Sequence, residues 1–176
     1  MEGTQVRVFC NPLSEEPKGF SLIELMVTLA LMAVLASLAA PSMMDMVRDS
    51  RLSAQSDALV TALNLARQEA VQQRKVVKLC PANSSNTDSA LAACSTTASW
   101  DNGWLIAEGN NILKRIPTGS GVSVTNSDTK VEYSATLGSV TAVSTFTLCI
   151  SGRKQQTVSV SASGRATKAI GTTTCT

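Results

Sequence analysis

The alternation of apolar and polar positions divides the chain into three stretches. Residues 1–19 are mostly polar and carry Glu2, Arg7, Glu15, Glu16 and Lys18. From Phe20 to Met44 runs a 25-residue apolar segment whose only charge is Glu24. At about 1.5 Å of rise per residue this segment, as a helix, exceeds the roughly 30 Å hydrocarbon core of a bilayer, which predicts a membrane-spanning helix. A secretory signal peptide would carry a small-residue cleavage site after its apolar region. Here Asp45, Arg48, Asp49 and Arg51 follow instead, so the segment is expected to stay in the mature protein. Pro41 lies inside it and removes one backbone hydrogen bond, which predicts a kink or a local opening.

Beyond Pro41 the pattern becomes amphipathic. Met44, Val47, Leu52, Leu59, Leu63, Ala66 and Ala70 approximate one helical face, with Arg48, Asp49, Arg51, Asp57, Arg67, Gln68 and Gln72 on the other. The helix is expected to end near Gln73 to Lys75, because Val76-Val77-Lys78-Leu79 is β-branched and alternating. Further short alternating runs follow at Trp104–Ala107, Ile112–Ile116, Val122–Thr125, Lys130–Tyr133, Thr145–Ile150 and Thr157–Ser161, separated by clusters such as Asp101-Asn102-Gly103 and Gly109-Asn110-Asn111. Nearly one residue in three beyond Cys80 is Ser or Thr. These features predict an α+β protein: a long N-terminal helix with a membrane-spanning first half, packed on an antiparallel β-sheet with polar outer faces.

Composition narrows the chemistry. There is no histidine, which removes Ser-His-Asp and Cys-His catalysis, His-containing zinc sites and imidazole pH switches. Ser151-Gly152-Arg153-Lys154 fits the Ser-x-x-Lys pattern of acylating enzymes. It lies between two strand-like runs where a hairpin turn is expected, and its companion motifs are missing. No enzyme activity, metal or cofactor is therefore expected. Of the five cysteines, Cys10 falls in the first polar stretch and leaves Cys80, Cys94, Cys149 and Cys175. Four cysteines allow three pairings, of which proximity favours Cys80–Cys94 and Cys149–Cys175. Ligation of a metal by the four thiolates is the rival reading, and no Cys-x-x-Cys occurs to support it. Acidic residues stop at Glu132, while Arg153, Lys154, Arg165 and Lys168 all follow.

Lys18-Gly19-Phe20-Ser21-Leu22-Ile23-Glu24-Leu25 resembles the processing signal of type IV pilins and type II secretion pseudopilins. The resemblance implies cleavage between Gly19 and Phe20 by a prepilin peptidase and methylation of the new amino terminus at Phe20. Glu24 stands apart on physical grounds as well: a carboxylate in a membrane helix costs about 2–3 kcal/mol on insertion scales, so its position needs a reason. In that family the equivalent Glu pairs with the amino terminus of a neighbouring subunit, and a Pro in the place of Pro41 is associated with packing into the fibre. Leu63–Val71 with Val77–Cys80, then Trp100-Asp101-Asn102-Gly103-Trp104, Phe146–Cys149 and Ser163-Gly164-Arg165, resemble in order the segments of the GspH/FimT family, the last two as its closing strands. Trp100 and Trp104 read as core residues rather than as a binding platform.

Four divisions are implied: a leader at 1–19, a transmembrane and assembly half-helix at 20–44, an amphipathic half-helix at 45–75 and a periplasmic β-rich domain at 76–176. The expected role is a minor type IV pilin in the priming or tip complex of a pilus. The same fold serves the GspH pseudopilin of type II secretion. The expected partners are other major and minor pilins or pseudopilins, the prepilin peptidase and an inner-membrane assembly platform, with the chain anchored in the inner membrane. Binding of double-stranded DNA is a third reading. Family members that hold DNA use Gly-Arg-x-Arg near the C-terminus, and here Gly164-Arg165-Ala166-Thr167-Lys168 has Thr167 at the second Arg and a Lys one residue later. Arg165, Lys168, Arg153 and Lys154 are the DNA-binding candidates.

Overall fold

The computed structural model describes residues 19–82, 94, 98–126 and 128–176, with the side chains of 39–41 left out. The chain forms two compact units, Met1–Pro41 and Ser42–Thr176. One long helix, α1 (Leu22–Gln73), contributes to both, and it is followed by β1 (Val77–Pro81), β2 (Trp104–Glu108), β3 (Asn111–Ile116), β4 (Ser123–Thr125), β5 (Val131–Tyr133), β6 (Ser144–Cys149), β7 (Lys154–Val160) and β8 (Ala166–Thr174).

Within the first unit every described side chain from Gly19 to Leu38 is exposed, including Phe20, Leu22, Met32 and Leu38. An all-round apolar helix needs an apolar surround, either lipid or other chains. Neither Leu22–Leu38 nor Ser42–Gln73 is by itself long and apolar enough to cross a membrane, whereas the two taken together meet that criterion of length and composition.

In the second unit α1 buries Leu52, Leu59, Ala62, Leu63, Ala66 and Ala70 along one stripe. Met44 and Val47, which the apolar periodicity assigns to the same face, are exposed instead. Ser56 is fully buried on the stripe and satisfies its hydroxyl by donating to the Leu52 carbonyl at 2.9 Å.

The strands form two four-stranded antiparallel sheets, ordered β3-β2-β1-β5 and β4-β6-β7-β8, where the sequence predicts one. Alternation identifies strands but is silent about which neighbour each pairs with. In the first sheet Val77, Leu79, Trp104, Ile106 and Tyr133 join the main core; in the second, Val124, Phe146, Leu148, Val158 and Val160 do so. Both sheets therefore share one core with α1. Leu105 faces the other way and packs with Ala82, Cys94 and Ile112.

The sheets meet at a 3-10 turn, Trp100–Asn102. Trp100 packs edge-to-face on Phe146 at 4.8 Å between ring centroids, and its indole N–H donates to the Asp128 carbonyl at 3.0 Å. Asp101 accepts the Val124 N–H at 2.5 Å. Gly103 follows with φ +106°, and a Cβ there would stand 2.5 Å from the Ile116 carbonyl oxygen. That is why the Trp-x-x-Gly-Trp segment needs its glycine. Trp100 and Trp104 are thus core residues.

β8 was not legible as a strand, and Ser163-Gly164-Arg165, taken from its resemblance as part of a closing strand, forms the turn before it. β7 also starts three residues earlier than its alternation suggests, so Lys154 is a strand residue.

Candidate functional site

The first candidate region is the amino-terminal edge of α1. Gly19 and Phe20 lie exposed just ahead of the helix, which begins when the Leu25 N–H donates to the Ser21 carbonyl at 3.1 Å. Glu24 is the acidic residue of the first turn, where the unpaired N–H groups favour a negative charge. An exposed backbone bond before a helix with a carboxylate one turn in is a geometry that a peptidase can reach and that a cationic group can approach. Helix assignment runs through Pro41, whose side chain lies outside the described residues.

The cysteines form two bonds. Cys80 joins Cys94 with Cα atoms 4.9 Å apart, and Cys149 joins Cys175 at 5.6 Å. The second bond closes the last residues onto the β6–β7 turn. There the Cys175 N–H donates to the Arg153 carbonyl at 2.8 Å and the Gly152 N–H to the Cys175 carbonyl at 2.9 Å. Ser151 and Gly152 occupy this exposed turn, which lacks the buried surroundings an acylating serine requires.

The four cations that the sequence groups by their late position do not form one patch. Arg153 and Lys154 stand at one end of the β7–β8 hairpin and Arg165 at the other, about 20 Å away at roughly 3.3 Å per residue. Two of the four are engaged. Arg153 donates through Nε to Asp49 Oδ1 at 2.6 Å, pairs through Nη2 with Asp49 Oδ2, and sets Nη1 3.2 Å from Asp45 Oδ2. Lys168 Nζ lies 2.5 Å from Asp57 Oδ1 and 3.2 Å from Ser53 Oγ. The side chains of Lys154 and Arg165 are exposed and have no hydrogen-bond or ion-pair partner among the described residues.

The acidic partners are a feature that sequence reasoning missed. Asp45, Asp49, Ser53 and Asp57 recur every fourth residue and form one stripe along α1. The spacing was readable, but not the cations that meet it from more than 100 residues downstream. Hydrogen bonding from Arg153, helped by its charge and opposed by desolvation, holds the Asp49 carboxyl below the ordinary carboxylate range. The Arg153 guanidinium is raised in turn, chiefly by the same hydrogen bond. Between this stripe and the hairpin runs a groove of about 790 Å³ lined by Met46, Asp49, Ser53, Arg153, Lys154 and Ile170, among others.

Comparison with known proteins places these features in a setting. The family model described as "Type II transport protein GspH" matches residues 55–164, and the "Prokaryotic N-terminal methylation motif" matches residues 17–40. A crystal structure of the type IV minor pilin FimU from Pseudomonas aeruginosa strain PAO1 superposes with a TM-score of 0.52 at 18% identity, covering 69% of this chain and 90% of that one. A second crystal form of FimU gives a TM-score of 0.49 at 20% identity over 67% and 92% of the two chains. The first of these shows a shared fold: a long N-terminal helix on antiparallel sheets. No curated protein sequence matches the chain.

Proposed function

The chain belongs to the GspH family, and from that premise we propose that it is a minor type IV pilin that enters the complex on which a pilus is started. As a family member carrying the methylation motif it is a subunit of the minor pilin or pseudopilin type, a structural protein rather than an enzyme. In the proposed reading the prepilin peptidase cuts between Gly19 and Phe20 and methylates Phe20. The 20–44 segment then holds the chain in the inner membrane until assembly, with the β-rich domain in the periplasm. Its partners are other pilins and the assembly platform.

The observation that carries this reading is Glu24: a lone carboxylate in the first turn of α1, the one charge of the apolar 20–44 stretch, inside the matched methylation motif. Cleavage before Phe20 creates an α-amino group about 6 Å along the axis from Glu24 at roughly 1.5 Å per residue. A carboxylate in that place is neutralised most directly by the amino terminus of an adjacent subunit. Pro41 serves the same reading as the point where the helix adapts to fibre packing.

Glu24→Ala is the test. The variant should still be processed and membrane-bound, yet be absent from sheared pili; recovery at the wild-type level would remove the assembly role. The matched family description also supports a pseudopilin of type II secretion. Loss of an exported enzyme from the medium, with pili intact, is the deletion phenotype expected of that alternative. A DNA-holding role has Arg165 and Lys154 in its favour, while Arg153 and Lys168 are held by carboxylates. A gel shift abolished by Arg165→Ala/Lys154→Ala and weakened by salt would support it.

A further inference from the structure

Resting on the membrane-anchored reading above, we propose that the β6–β7 turn and the adjoining turn of α1 form a docking surface for the anionic head groups of the anchoring phospholipid leaflet. The contributing cations are Arg48, Arg51 and Lys154.

Depth comes first. Asp45 immediately follows the apolar segment, and Arg153 is bound to both Asp45 and Asp49. Along α1, Asp45 and Asp49 stand one and five residues beyond Met44, about 2 and 8 Å at roughly 1.5 Å per residue, and Arg153 fastens the β6–β7 turn beside them. The polar head-group layer on each side of a bilayer is about 5–8 Å deep, so the turn lies at its level.

Charge comes second. Asp45 and Asp49 are the carboxylates facing this turn from α1, and both are taken up by Arg153. Arg51 and Lys154 have no partner among the described residues, and Arg48 stays half-exposed with Asp45 3.9 Å away. The remaining charge is positive and sits where lipid phosphates would stand. Such cations contribute to surface binding one by one and lose strength as salt screens them.

The third observation is apolar. Met46 is 74% exposed and Ile170 70% exposed, and both line the groove beside Arg153 and Lys154. Apolar side chains interleaved with cations suit the boundary between head groups and acyl chains, where one part is wet and the other is not. Duplex DNA offers phosphates but nothing to receive Met46 and Ile170. The surface is also held in place beforehand. The Cys149–Cys175 bond and the two hydrogen bonds joining Cys175 to Gly152 and Arg153 fix the turn, so little ordering is lost on binding.

The experiment uses the full chain reconstituted in mixed phosphatidylcholine and phosphatidylglycerol nanodiscs, with the lipid retained per protein counted by native mass spectrometry after transfer to detergent. The wild type should retain phosphatidylglycerol in preference to phosphatidylcholine. Each of Arg48→Gln, Arg51→Gln and Lys154→Gln should lower that preference about five-fold. Arg48→Lys/Arg51→Lys/Lys154→Arg should keep it, which separates charge from a general packing defect. An unchanged preference in the Gln variants, equal displacement of the lipid by inorganic phosphate, or displacement by duplex DNA at the same phosphate concentration would each overturn the proposal. Alkaline extraction of the wild type from native membranes distinguishes the two readings. Release indicts the membrane anchor itself, whereas retention without lipid preference indicts only the head-group surface.

Discussion

Single residues hold this fold at three points, one by backbone geometry, one by a side-chain hydrogen bond and one by burial. Gly164 has φ +79°, and a Cβ there would run into the Gly138 carbonyl, whose oxygen already accepts the Arg67 Nε–H at 3.1 Å. Gly164→Ala should therefore cost about 3 kcal/mol in urea unfolding, combining a strained φ with a steric clash. Asp101 ties the 3-10 turn to β4 through the Val124 N–H, and Asp101→Ala should lose about 2 kcal/mol, the scale of a hydrogen bond to a charged group. Tyr133 is fully buried, and its hydroxyl has no hydrogen-bond partner among the described residues. Burial pushes the phenol well above its usual range, against a smaller opposing pull from Arg67. A group with a raised native pKa loses its stabilising effect as pH climbs past the unfolded value, here near 10. Tyr133→Phe should thus leave stability at neutral pH within about 1 kcal/mol of wild type and flatten the decline in melting temperature above about pH 10.

Elements are held to one another by contacts of very different legibility. The end of α1 and the strands β1 to β6 follow from alternation and β-branching, most directly in β4, β5 and β6, where one face is turned into the core and burial imposes a period. β8 escapes that logic: Ala-Thr-Lys-Ala-Ile-Gly-Thr-Thr-Thr is exposed along most of its length, so nothing enforces a pattern, and its strand form comes from pairing with β7. Met44 and Val47 show the converse, apolar positions with helical spacing that the domain leaves uncovered. The matched methylation motif and the bonded cysteines are local in sequence and could be named from it. The aspartate stripe on α1 could be seen only as a spacing, since Arg153 and Lys168 reach it from 104 and 111 residues away. These pairs also set an acid limb. Asp49, with its pKa depressed by Arg153, contributes stability that is complete above the ordinary carboxylate range and fades as pH falls through its native value. Asp49→Asn should make unfolding less steeply pH-dependent between about pH 5 and 2, and should speed amide exchange at Gly152 and Cys175 at neutral pH.

The molecule as a whole combines a helix that needs apolar company with a small domain fastened covalently at two places. On the loop-entropy model the Cys149–Cys175 bond, spanning 26 residues, stabilises by about 3.5 kcal/mol, and Cys80–Cys94, spanning 14, by about 3 kcal/mol. Cys149→Ser/Cys175→Ser should accordingly shift the urea midpoint the further of the two, and should detach the β6–β7 turn from the end of β8. That bond has a further consequence in time. Cys175 follows Cys80, Cys94 and Cys149 in order of synthesis, and Lys168 and β8 likewise follow the α1 and β7 residues they meet. In the proposed topology, with the 20–44 segment left in the membrane, export delivers the aspartates of α1 long before the residues that complete their counterface. Through most of that export the aspartates of α1 and the β8-facing edge of β7 would stand open, until Lys168 and Cys175 have followed.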